Sequence, residues 1–270
     1  MKIKFTKMSG AGNDFVVIDN RNGRIRQRSR LAREVCDRFE GIGADGLLLL
    51  EHSERADFHM RYYNADGSYG GMCGNGGRCI SWYAMRKKIA GRVLFFEALD
   101  HVYTARKVGG EMIALHMKNP RDARHELRIE AKGRRYIAEY IDTGAPHAVI
   151  PVRRRTLDVM DVRTPGRDLR YNKAFGEAGA NINFIERTGI KSLKMRTYER
   201  GVEDETLSCG TGSVASSIVA SMLWGMAPPV RVQTRSQNTL TVEFDRDGEV
   251  FENVVLTGPA KITFEGVINV

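Results

Sequence analysis

The sequence predicts an α+β protein of two homologous, pseudo-symmetric lobes, each a strand-rich curved sheet around a central helix, with the active site in the cleft between them. Three observations predict it. Landmarks of the first half return in the second at a nearly constant offset. Thr143-Gly144-Ala145 stands 134 positions after Ser9-Gly10-Ala11, and the runs Asn181–Glu186 and Leu193–Glu199 each stand 135 after Gly46–Glu51 and Phe58–Asn64. Short runs alternate between apolar and polar residues, as half-buried strands do. Finally, each half holds one cysteine followed by a glycine-bearing turn and then helical periodicity. These are Cys73-Gly74-Asn75-Gly76 and Cys209-Gly210-Thr211-Gly212, with the cysteines 136 apart.

The elements follow in order. Lys2–Met8 alternates as a strand, Ser9–Asp14 turns, and Phe15–Asp19 resumes as a buried strand. Ser29 is expected to cap a helix with Leu31, Val35, Cys36 and Phe39 on its apolar face. Gly41-Ile42-Gly43-Ala44-Asp45-Gly46 fits G-x-G-x-x-G. However, a helix precedes it and the strand Leu47–Leu50 follows, the reverse of a dinucleotide site, so it reads as a turn. Phe58, Met60 and Tyr62 alternate in a strand that ends in the turn Asn64-Ala65-Asp66-Gly67. The helix after Cys73 carries Ile80, Tyr83 and Ala84 on one side, packs Cys79, and is expected to stop at Gly91. Three strand-like runs follow, Val93–Ala98, Val102–Val108 and Met112–Met117, and Asn119-Pro120 marks a boundary. In the second half the helix from Gly212 to Trp224 is closed by Gly225 and Pro228-Pro229.

Composition limits the functional classes. The 270 residues suffice for one large domain or two of about 100–150 residues. No apolar run approaches the ~18 residues of a membrane span, and Lys-Ile-Lys-Phe at the start is not a signal peptide, so a cytoplasmic protein is expected. The net charge of +9 is spread through mixed-sign sequence without interleaved aromatics, which reads as solvated surface rather than a nucleic-acid site. Four cysteines in such a chain argue for reduced thiols over a disulfide framework. No metal site is expected, because Cys73 and Cys79 are separated by five residues and no second close Cys/His pair completes a tetrahedral set.

If the lobes pack about an approximate two-fold axis, the two cysteine-bearing helix starts face each other across the cleft. One carbon between opposed thiols loses a proton from one face and regains it on the other, which inverts a stereocentre. A helix N-terminus favours the thiolate, the form required of the base. The N–H groups of Gly74, Asn75, Gly210 and Thr211 suit a substrate carboxylate and the charge that develops on it. Asn13, Asn64, His147, Asn181, Glu199 and Arg200 gather at the rim by the same alignment, where Arg200 suits a second carboxylate and Glu199 an ammonium group.

The motifs Lys7-Met8-Ser9-Gly10-Ala11-Gly12-Asn13-Asp14-Phe15, Asn64-Ala65-Asp66-Gly67, Cys73-Gly74-Asn75-Gly76, Tyr198-Glu199-Arg200-Gly201 and Cys209-Gly210-Thr211-Gly212 together resemble the diaminopimelate epimerases. The resemblance spans essentially the whole chain. It implies a cofactor-independent epimerase that interconverts LL- and meso-diaminopimelate, on the route to lysine and peptidoglycan. It implies a first lobe of residues 1–117 with 258–270, because the C-terminal strand returns to it, and a second lobe of 118–257. It gives Cys73 and Cys209 the base and acid roles, with His147 and Glu199 assisting. Gly74, Asn75, Gly210 and Thr211 would hold the carboxylate at the reacting centre, and Asn13, Asn64, Asn181, Glu199 and Arg200 the rest of the substrate. The chain departs from many members at Ala145, where they carry asparagine, and at Gly46, where they carry glutamine. The loop Glu199–Cys209 is also one residue longer.

The neighbouring alternative is a racemase of another amino acid on the same fold. A cysteine hydrolase pairing Cys209 with His147 leaves the Cys73 loop without a role. No lysine stands in a pyridoxal-phosphate context, so no cofactor is expected. The partner is a small-molecule substrate, with neither nucleic acid nor membrane, and a homodimer is kept open.

Overall fold

The computed structural model describes residues 2–269. Met1 and Val270, the outer bounds of the expected first lobe, lie outside the described residues. Among the described residues are seventeen strands and four α-helices. The chain divides into two compact units. One runs as far as His116 and resumes at Thr257, and the other is Met117–Leu256.

The first unit contains β1 (Lys2–Gly10), β2 (Asn13–Asp19), α1 (Arg28–Cys36), β3 (Gly46–Glu51), β4 (Phe58–Asn64), α2 (Gly74–Arg86), β5 (Val93–Ala98), β6 (His101–Gly109) and β7 (Met112–His116). The second contains β8 (Arg121–Ala131), β9 (Arg134–Asp142), β10 (Pro146–Pro151), α3 (Arg163–Arg170), β11 (Asn181–Arg187), β12 (Ser192–Glu199), β13 (Asp204–Thr206), α4 (Gly210–Trp224), β14 (Val230–Gln233) and β15 (Thr239–Asp247). The boundary at Thr257 falls inside β16 (Val250–Pro259), and β17 (Lys261–Asn269) pairs antiparallel with β1.

The two units repeat one pairing scheme. In the first, β2 and β3 are parallel, β3 and β4 antiparallel, and β4 and β5 parallel. In the second, β10, β11, β12 and β14 follow the same sequence of directions. The registers match as well. Gly46 lies opposite Asn64, and the β11–β12 register that sets Ile182 opposite Tyr198 brings their neighbours Asn181 and Glu199 alongside, both displaced by 135 positions. Phe58 opposite Phe96 likewise corresponds to Leu193 opposite Val232. Because a slip of one residue would turn every side chain to the other face, matched register means that corresponding positions share a face in both copies.

Each central helix is buried on nearly all sides, which explains its small residues. In α2 every residue from Gly74 to Ala84 is buried, and in α4 all from Gly210 to Ser221 except Thr211. On α4, Ser213 and Ser217 return their hydroxyls to the carbonyls of Cys209 and Ser213 one turn back, and Ser216 donates to Met195 Sδ. Glycines admit the sheet. A Cβ on Gly10 of β1 would lie 2.8 Å from the Asn75 carbonyl oxygen and 3.0 Å from Cys79 Sγ. Cys79 and Cys36 are core residues, each thiol pushed up to about 12 by burial.

Three local expectations are corrected. Helix α1 starts at Arg28 behind Gln27, so Ser29 lies inside the helix and is not its cap. The helix ends at Cys36, where the Asp37 carboxylate accepts the N–H groups of Phe39 and Glu40. That turn points Phe39 outward, 97% exposed, instead of into the core. Helix α2 ends at Arg86 rather than at Gly91, because Lys88 adopts a left-handed φ of 57° and breaks the ladder.

Gly10→Ala is expected to cost about 1–3 kcal/mol by forcing α2 off β1, measured as a lowered urea midpoint. An unchanged midpoint would contradict that close packing.

Candidate active site

In each unit the cysteine itself caps its helix. Cys73 and Cys209 are extended, with φ, ψ of −123°, 120° and −126°, 114°, and each sulfur accepts the third helical N–H. Gly76 N–H donates to Cys73 Sγ and Gly212 N–H to Cys209 Sγ, both at 3.4 Å. The fourth N–H, of Gly77 or Ser213, bonds the cysteine's own carbonyl. This accounting places the N–H groups of Gly74, Asn75, Gly210 and Thr211 outside the helices' own ladders. Negative charge at these starts is favoured by the partial positive charge of the first turn.

Around Cys73 the polar groups form one directed network. Arg78, fully buried in α2, donates to the Gly74 carbonyl at 3.2 Å and to Asn75 Oδ1 at 2.7 Å. Burial pushes its guanidinium down to about 10. Asn75 Nδ2 donates to Asn13 Oδ1 at 2.6 Å, and Asn13 Nδ2 to Asp45 Oδ2 at 2.9 Å. Arginine only donates and a carboxylate only accepts, so both amides between them have one orientation. Asp45 and Asp14 share Arg38, and Lys7 lies 2.7 Å from Asp14. Burial alone would push the Asp14 carboxyl up, but the hydrogen bonds from Arg38 and Lys7 hold it below its ordinary value.

Asn64 ends β4 in a turn and donates to Ser68 Oγ at 2.9 Å. Beside it, the Tyr62 ring fills the space where a Cβ on Gly46 would stand, 2.5 Å from Cε2, and it also crowds Gly70. A glutamine at position 46 would therefore collide with Tyr62, which accounts for glycine in this chain.

Around Cys209, His147 is fully buried on β10. Burial is the main cause that pushes its imidazole down to about 3. The Arg200 charge adds to this and Asp142 opposes it. Its Nε2 lies 3.0 Å from Thr211 Oγ1, and its Nδ1 lies 3.0 Å from Asn183 Nδ2. Thr211 Oγ1 is 3.6 Å from Cys209 Sγ. Asn181 is 4% exposed and is held by the main chain, accepting Arg200 N–H at 2.8 Å and donating to the Pro146 carbonyl at 3.0 Å. Glu199 accepts the Thr206 hydroxyl at 2.7 Å.

The structure thus gathers Asn13, Gly74 and Asn75 at Cys73, and His147, Gly210 and Thr211 at Cys209. Asn64 lies opposite Gly46, while Asn181, Glu199 and Arg200 join one another at the β11–β12 edge. Sequence reasoning missed Arg78, Asp45, Asn183 and Thr197. The signal was available for Arg78 alone, as a lone arginine inside an otherwise small and apolar helix. Among the described residues no group of three or more His, Cys, Asp or Glu side chains is placed to hold a metal ion, and no helix is long and apolar enough to cross a membrane.

Comparison with known proteins agrees across the whole chain. A solved PhzF-family phenazine biosynthesis protein from Bacillus anthracis superposes with a TM-score of 0.78, 16% identical and covering 100% of both chains. A probable proline racemase from Agrobacterium radiobacter gives 0.75 at 13% identity, over 99% of this chain and 93% of that one. These likenesses share the fold. In sequence, the diaminopimelate epimerase of Chlorobaculum tepidum is 46% identical over 97% of this chain and 99% of its own. That of Flavobacterium psychrophilum is 41% identical over 98% and 100%. The chain is accordingly an isomerase of the racemase and epimerase class. More narrowly, it belongs to the diaminopimelate epimerase family, whose sequence model matches residues 5–112 and 139–263.

The lowered Asp14 carboxyl makes a prediction with a definite sign. A depressed carboxylate contributes stability that is present above its ordinary value of 3.8 and lost as pH falls through the lower folded value. Wild type should therefore exceed Asp14→Asn in urea midpoint at pH 6, and the gap should close as pH falls below 3.8. A gap independent of pH would contradict this.

Proposed function

We propose that the protein interconverts LL-2,6-diaminopimelate and meso-diaminopimelate by two-base proton transfer between Cys73 and Cys209. The observation that carries the reading is the duplicated cap: two cysteines with the same backbone angles, each accepting an N–H at 3.4 Å from the first turn of a buried helix. One sulfur, as thiolate, takes the α-hydrogen from one face while the other, as thiol, returns a hydrogen to the opposite face. The electron pair of the broken C–H bond passes into the α-carboxylate, which becomes enediolate-like. The Gly74, Asn75, Gly210 and Thr211 N–H groups would hold that carboxylate and stabilise its added charge. The roles of the sulfurs exchange with the handedness of the substrate, and no cofactor is assigned a part.

For this, the cleft between the two lobes would bring the helix starts together. Asn13, Asn64, Asn181, Glu199 and Arg200 would receive the rest of the substrate. The amides of Asn13 and Asn75 are held in one orientation by the network, Asn75 donating to Asn13 and Asn13 to Asp45. Arg200, with no side-chain partner among the described residues, suits the distal carboxylate. Glu199 suits the distal ammonium group, and His147 acts on Cys209 through Thr211. Each of the two units holds one capping cysteine, Cys73 in one and Cys209 in the other. A soluble, cytoplasmic location fits a biosynthetic role.

In deuterated water, wild type should introduce deuterium at the α-carbon of LL-diaminopimelate. Cys73→Ala and Cys209→Ala should each lower epimerisation by about 10²–10⁴-fold. Epimerisation preserved in the double variant would overturn the mechanism. Turnover confined to simple L-amino acids, with none of diaminopimelate, would favour the racemase reading.

A further inference from the structure

We infer that the Thr211 hydroxyl is a catalytic hydrogen-bond donor to the Cys209 sulfur, its direction fixed by the positioning residues Thr197, Asn183 and His147. The inference rests on Cys209 being a reacting thiol, as proposed above. Its geometry is internal to the second unit.

The direction follows from one group that can only accept. Asn183 Nδ2 lies 3.2 Å from the Ala148 carbonyl and 3.4 Å from that of Asn181, while Asn183 Oδ1 accepts the Thr197 hydroxyl at 2.9 Å. Turning the amide over would set its oxygen against two carbonyl oxygens, so the nitrogen occupies that place. The same nitrogen faces His147 Nδ1 at 3.0 Å, and that ring atom therefore accepts. A neutral imidazole with Nδ1 accepting carries its hydrogen on Nε2. Nε2 then donates to Thr211 Oγ1 at 3.0 Å, which leaves the hydroxyl hydrogen for the sulfur at 3.6 Å.

Two further contacts hold the relay in place. Thr143 Oγ1 donates to the Thr211 carbonyl at 3.0 Å, anchoring its main chain. Gly212 makes room, since a Cβ there would stand 2.5 Å from Asn183 Oδ1 and 3.2 Å from Cys209 Sγ. The charged groups that act on His147 are Asp142 and Arg200, of opposite sign. With burial dominating, the imidazole is neutral at working pH and relays orientation rather than charge.

A donated O–H bond is stronger to a thiolate than to a thiol, so it favours the basic form of Cys209. When the thiolate takes the α-hydrogen, an S–H bond forms and the C–H bond breaks, with the electron pair remaining on the substrate. The Thr211 O–H bond does not break. At the equivalent position of α2 stands Asn75, an amide engaged with Arg78 and Asn13, so the two caps differ at this residue.

The test is alkylation of Cys209 by iodoacetamide as a function of pH, followed by peptide mass spectrometry in a Cys73→Ser background. Thr211→Val is expected to lower the rate at pH 7 about tenfold and to move the pH midpoint up by about one unit. Thr211→Ala should do the same, Thr211→Ser should restore the wild-type profile, and Thr197→Val should move it in the same direction by less. Profiles for Thr211→Val and Thr211→Ala that match wild type would overturn the inference, as would a serine variant that behaves like valine. Alkylation needs no substrate. Retained epimerisation in Cys209→Ala would sink the two-thiol mechanism while leaving the relay to be judged on its own profile.

Discussion

The rest of the structure is arranged so that a sulfur can occupy the capping position of a buried helix. A cysteine is a poor cap compared with serine or aspartate, since sulfur accepts weakly. Its use twice, at matched positions, exchanges helix stability for a reactive atom set in the field of the first turn. The surrounding fold meets the cost. Both helices are enclosed by sheet, their small residues permit close approach, and Ser81, Ser213 and Ser217 return their hydroxyls to carbonyls one turn back. Burial fixes the helix, the helix fixes the cap, and the cap fixes the sulfur.

The polar residues near each sulfur form directed chains rather than scattered contacts. At one end of each chain stands a group that can act in only one sense, Arg78 and Asp45 around Cys73, and the Ala148 carbonyl around Cys209. Amides and an imidazole can each face two ways, and these ends remove the choice. The network around Cys73 still leaves the buried Nε of Arg78 without a hydrogen-bond partner among the described residues. Under the proposed two-thiol mechanism, in which the sulfurs exchange roles, such fixed orientations would serve both hands of one substrate.

The duplication was legible in the sequence because register survives as arithmetic. The 135-position offset carries Gly46 and Asn64 onto Asn181 and Glu199, and the strand pairing repeats with it. The capping cysteines were legible because glycine beside cysteine at a helix start has few other uses. What escaped depended on tertiary contacts. Helix α3, Arg-Thr-Pro-Gly-Arg-Asp-Leu-Arg, carries proline and glycine and a single large apolar residue, and its buried face of Pro165, Gly166 and Leu169 packs with Gly166 against Tyr198. The hairpin of β8 and β9 is mostly exposed on its first strand and shows little alternation. Phe39 belonged to the helical pattern of α1, but two N–H groups captured by Asp37 ended the helix first. Asn183 and Thr197 are ordinary strand residues until the third dimension sets them behind His147.

The central claim is that the two capping sulfurs serve one carbon, and the distance between them tests it most directly. If the two capping sulfurs approach each other, mild oxidation should join Cys73 to Cys209 rather than the core thiols Cys36 and Cys79. Peptide mapping by mass spectrometry should recover that cross-link together with reversible loss of turnover. Oxidised protein that yields only Cys73–Cys79 or Cys36 linkages would contradict the account.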